Sequence, residues 1–157
     1  LDNYLALKLL HIISAVVVAG TGFGIAYFMY MASRSQDSRV LAVTTRLVVL
    51  ADWLFTTPAI VLQLVTGILL MRVLGYSFTS RWFAVVITLY TIVGACWIPV
   101  VLIQYRLRDL APHVADDAVT EQRWRRLMRR WIALGIPAFT AVLVLFWMMV
   151  FKPLPTT

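Results

Sequence analysis

Cysteine, charge and histidine are all scarce in this sequence, and each shortage closes off a class of protein. The single cysteine, Cys96, lies inside an apolar run, so the chain supports neither a disulfide framework nor a zinc site built on spaced cysteines. Charged residues make up 13% of the 157 positions, against roughly a quarter in soluble domains. Of the two histidines, His113 falls in a polar connection. A pair of histidines facing each other inside one chain is therefore not expected. No internal repeat and no low-complexity tract is visible, and no polar connection is long enough to fold as a second domain.

What the sequence does have is apolar length. Four stretches, Tyr4–Met31, Leu47–Leu74, Trp82–Tyr105 and Trp131–Phe151, are long and apolar. Each meets the requirement of about 20 residues for a helix to cross a hydrocarbon core of about 30 Å. They predict an all-α fold: a four-helix transmembrane bundle forming one integral membrane domain over residues 1–157, with helices over about 4–33, 38–74, 82–108 and 120–151. The first stretch is too long for a signal peptide and lacks a small-residue cleavage site. Leu1 stands where a start methionine would be, so a short N-terminal piece is expected to be missing.

The net charge of +7 is unevenly placed. Ten arginines (Arg34, Arg39, Arg46, Arg106, Arg108, Arg123, Arg125, Arg126, Arg129 and Arg130) lie in or beside the first-to-second and third-to-fourth connections. Only four basic residues, Lys8, Arg72, Arg81 and Lys152, lie at the other ends of the spans. This positive-inside asymmetry predicts cytoplasmic arginine-rich connections and both termini outside. Anionic lipid headgroups, not nucleic acid, are the partners such arginines suit.

Ordinary punctuation marks the helix ends. Asp37 or Ser38 suits a cap for the second helix, the "GYSFTS" segment is a short turn, and Thr120 with Glu121 suits the start of the last helix. Pro58, Pro99 and Pro137 fall inside helices and are expected to kink them.

Polar side chains within a membrane are costly and often functional. At about 100° and 1.5 Å per residue, Lys8, His11, Ala15, Val18 and Gly22 share one face of the first helix. Beyond His11 that face is mostly small, leaving room for a flat, bulky group. Asp52, Thr56, Ala59, Gln63, Thr66 and Gly67 form a stripe on the second helix. Counting the helical rise puts His11 roughly 10 Å and Gln63 roughly 12 Å below the membrane boundary. Tyr90 reaches a similar level and Trp147 a slightly shallower one. His11, Gln63, Gly67, Tyr90 and Trp147 are thus expected in one layer. A neutral imidazole there suits an axial ligand of heme iron, making His11 the metal-ligand candidate; alternatively it simply hydrogen-bonds across to Gln63. A second ligand would come from Met148, Met71, Lys8, water or His11 of another copy. Lys8 is either a snorkelling lysine or the partner of a heme propionate. Asp52 is expected to pair with Arg46, Arg129 or Arg130, with a proton-relay role as the alternative.

The segments "LKLLHII", "TTPAIVLQLVTGILL" and "RRWIALGIPAF…FKP" make the chain similar, over essentially its whole length, to HemJ-type protoporphyrinogen oxidases. "GTGFG", "ADWLFTTPA", "CWIPV" and "LRDLA" resemble more closely an uncharacterised family of bacterial four-helix integral membrane proteins. The HemJ likeness implies heme b as cofactor with His11 as ligand and Lys8 at the position of that family's lysine. The cofactor-binding set expected is His11, Lys8, Ala15, Gly22, Gln63, Gly67, Tyr90 and Trp147. By the same likeness the chain is a multi-pass protein of the bacterial inner membrane, acting in electron transfer or as a redox component, with a redox partner protein or a second copy of itself. Departures count against the oxidase activity itself. Ala32 stands where HemJ-type chains have a second histidine, Gly135 stands in place of an Asn-Glu before the helix-4 proline, and the third helix has no histidine. The other reading is a non-redox accessory subunit, small transporter or assembly factor with no cofactor.

Overall fold

The computed structural model describes residues 2–35 and 37–155. Four helical crossings follow one another: α1 (Asp2–Ser35); α2 (Ser38–Ala51), a π-helical turn (Asp52–Thr56) and α3 (Thr57–Val73) in one continuous rod; α4 (Arg81–Leu110); and α5 (Ala118–Phe151). All four are long and apolar enough to cross a membrane. The large apolar side chains left exposed, such as Leu9, Phe23, Phe55 and Val150, are the surface that lipid covers in a membrane protein. The helices run one or two residues further than expected at several ends, where capping side chains extend them past the apolar runs. Asp37 accepts from the backbone N–H of Arg39, and Ser80 from that of Phe83. Asp117 accepts from both the N–H and the hydroxyl of Thr120. Those two bonds hold the Asp117 carboxyl below its ordinary range.

Two of the three expected proline kinks have a simpler outcome. Pro99 and Pro137 lie inside unbroken α-helices. Pro58 follows the π-helical turn, in which the N–H of Thr57 reaches back to the carbonyl of Asp52. The wider turn gives the proline ring room that a regular α-helix denies it.

The core is divided. At the arginine-rich end, Met29, Leu41, Val48, Leu107, Trp124 and Met128 pack into the main cluster, which joins all four crossings. A smaller cluster at the opposite end gathers Met71, Trp82 and Met148. There the indole N–H of Trp82 donates to the carbonyl of Met148 at 3.2 Å, and Lys152 donates to the hydroxyl of Tyr76 at 2.6 Å. Between the two clusters, α1 packs mainly on α3 and α4 mainly on α5. Polar side chains concentrate in this middle slab.

Candidate functional site

His11 is held between α1 and α3 by a chain of hydrogen bonds whose directions can be assigned in order. Thr66 spends its hydroxyl hydrogen on the carbonyl of Leu62 at 2.6 Å, as threonines within helices commonly do. Its oxygen then accepts from His11 Nδ1–H, 2.9 Å away. That bond selects the Nδ1–H tautomer and leaves a lone pair on Nε2. The amide of Gln63 donates to Nε2 at 3.0 Å. Its own oxygen accepts from the hydroxyl of Ser14, which also lies 2.9 Å from the carbonyl of His11. Ser14 and Thr66 are buried, whereas His11 and Gln63 keep partial exposure.

Gly67 allows the approach. A Cβ built on it would stand 3.3 Å from His11 Cε1, closer than side chains ordinarily tolerate. Gly67→Ala is expected to displace the ring by a few tenths of an ångström and leave stability nearly unchanged. Gly67→Val should separate α1 from α3 and cost about 1–3 kcal/mol, the usual scale for overpacking. Thermal unfolding in detergent measures both.

The expected layer is thus partly assembled. His11, Gln63 and Gly67 meet, and the anticipated bond from His11 across to Gln63 is present. Tyr90 reaches the same helix from α4 but donates to the carbonyl of Ile60 at 2.8 Å. Trp147 lies elsewhere: it is 49% exposed and packs on Phe151, facing away from the bundle. Its neighbour Met148 points inward instead and joins Met71 in the end cluster. Lys8 is exposed, its ammonium 5.8 Å from the centre of the Tyr4 ring. Ala15 is half-buried, and Gly22 has nothing within 4 Å of a Cβ built on it.

Sequence reasoning left Ser14 and Thr66 out of the site. Thr66 was already on the polar stripe, and Ser14 follows His11 by one turn on the same face; these were the available signals. The ion pair expected for Asp52 does not form. Among the described residues the salt bridges join Arg108 to Asp109, His113 to Asp116 and Arg125 to Glu121. Arg46, Arg129 and Arg130 are exposed, while Asp52 is buried. An arginine turned toward water at the helix end keeps its hydration, which a buried pair would forfeit.

These features define a class: a four-helix integral membrane protein with an interhelical histidine network in its apolar interior. The chain belongs to the family described as predicted integral membrane protein (DUF2269), whose model matches residues 5–153. No curated protein and no solved structure matches it.

Proposed function

We propose that this protein binds b-type heme through Nε2 of His11 and serves as an electron-transfer component of the bacterial inner membrane. The observation carrying the proposal is the Nδ1–H···Thr66 bond. Histidines that ligate metals characteristically donate the other ring N–H to an oxygen, which fixes the tautomer and makes the ligating nitrogen more basic. In donor chemistry the residues fit: a neutral imidazole, a hydroxyl behind it, and Gly67 against one edge. Gln63 holds Nε2 here and would release it by rotating its terminal amide. The water-facing Lys8, one turn from His11, suits the carboxylate substituents of a large ring. A bound heme would supply a one-electron couple. The chain's own part is to orient the imidazole, exclude water and set the polarity around it. Electrons would pass to a redox partner protein or a second copy of the chain.

One observation favours the non-redox reading: the hydrogen bonding of His11 is complete without a cofactor, so the network also serves as a latch between α1 and α3. An absorption spectrum of protein purified after heme-sufficient expression separates the two. A stoichiometric Soret band is the expected result. A colourless, fully folded protein supports the accessory-subunit, transporter or assembly-factor reading.

Orientation is part of the same proposal, with both termini and the Tyr76 turn outside. In a Cys96→Ser background, a membrane-impermeant maleimide applied to intact cells with a permeabilised outer layer should label Thr79→Cys. Ala115→Cys should react only after lysis. The reverse pattern inverts the topology.

A further inference from the structure

The π-helical turn places a second polar group deep in the bundle, independent of His11. Asp52, Thr56 and Gln104 are 5%, 4% and 2% exposed. Thr56 and Gln104 are the polar side chains within hydrogen-bonding reach of the Asp52 carboxyl. Their contacts leave Asp52 Oδ2, Thr56 Oγ1 and Gln104 Oε1 buried without a well-formed hydrogen bond. Three such oxygens in one place are unusual, because buried polar atoms are nearly always satisfied. The cost of leaving them so is higher in hydrocarbon than elsewhere.

Gly22 lies eleven residues beyond His11, and Asp52 eleven before Gln63 on the antiparallel crossing. Both are therefore about 16 Å from the imidazole network. α1 packs on the π-helical turn at this level. Gly22 shares a helix face with the buried Ile25 and Met29. The charged and titratable groups around Asp52 do not neutralise it. Arg46 on its own crossing, Arg106 on α4, and Arg129 and Arg130 on α5 are all exposed, Arg108 is bonded to Asp109, and Tyr105 accepts from Trp53. Between His11 and Tyr27, α1 carries no titratable side chain.

We propose that Asp52, Thr56 and Gln104 form a binding site for one small monovalent cation. The three oxygens are hard ligands with free lone pairs, as alkali cations and hydronium require. A single carboxylate balances one positive charge, whereas a divalent ion would leave an excess charge in the membrane interior. The widened hydrogen-bond pattern of the turn at Asp52–Thr56 agrees with such a role, since π-turns recur at functional sites. Sodium ion and proton are the two sources of that charge.

The test uses the full-length protein in detergent, followed by tryptophan fluorescence on heating, in sodium chloride against choline chloride at equal ionic strength and at pH values from 5 to 8. A ligand that binds only the folded state raises the unfolding temperature. A saturable rise of several degrees with sodium, absent with choline and lost in Asp52→Asn, identifies a sodium site. With no sodium response, wild type that is more stable at low pH and loses that stability as pH rises, against a flat Asp52→Asn, identifies a proton site. Thr56→Val replaces Asp52→Asn if the latter fails to fold, and should weaken either response. A wild type indifferent to sodium, and with the same pH profile as the folded variant, overturns the proposal.

Discussion

Replacing His11 with alanine is expected to abolish the Soret band of the purified protein and to lower its unfolding temperature, while a membrane-inserted chain remains. The spectroscopic loss should be complete, because the one other histidine, His113, is exposed in the 3-10 turn after α4 and bonded to Asp116. The stability loss should be moderate. Alanine removes two interhelical bonds, to Thr66 and to Gln63. Interhelical hydrogen bonds in membranes contribute roughly 0.6–2 kcal/mol each, so about 1–4 kcal/mol is expected. Lys8→Ala should weaken heme retention or shift the potential without removing the axial bond, since Lys8 lies one turn nearer the water. Gln63→Leu sharpens the comparison by freeing Nε2 while destroying the chain to Ser14. On the heme reading it keeps the Soret band. On the non-redox reading it yields a colourless protein destabilised to a similar degree as His11→Ala. Full heme with an unchanged spectrum in His11→Ala would show that the ligand is another residue.

Trp124→Ala is expected to have the largest effect on stability. Trp124 is 3% exposed in the main cluster, and its indole donates to the carbonyl of Leu107 at 3.3 Å. Truncating a buried aromatic leaves a cavity and costs about 3–5 kcal/mol. Here it also strips a partner from a buried carbonyl. The cluster at the arginine-rich end unites all four crossings, so its loss should lower both yield and unfolding temperature. Trp147→Ala is the matched control. That side chain faces away from the bundle, and its removal exchanges protein surface for lipid with little change. Equal destabilisation by the two substitutions would contradict the division between core and lipid-facing aromatics.

The number of crossings, their approximate ends, a cap at Asp37 or Ser38 and the approach of His11 to Gln63 were legible in the sequence. All of them rest on local or one-dimensional quantities. A hydrocarbon core demands a certain apolar length with backbone hydrogen bonds closed within the segment, and a helix advances by a constant rise, so depth can be counted along the chain. What the sequence left undecided is rotation about each helix axis. One residue turns a side chain by about 100°, which is the difference between Trp147 on the lipid face and Met148 in the core. The same freedom decided that Ser14 and Thr66 complete the imidazole's network. Proline's demand for space at residue 58 is local, but only the packed structure decided that a π-helical turn, not a kink, would meet it. Nor could charge alone say that Asp52 would turn toward Thr56 and Gln104 and away from the arginines. That choice depends on which helices pack at its level, and on the exposed arginines being better solvated in water than in the bundle.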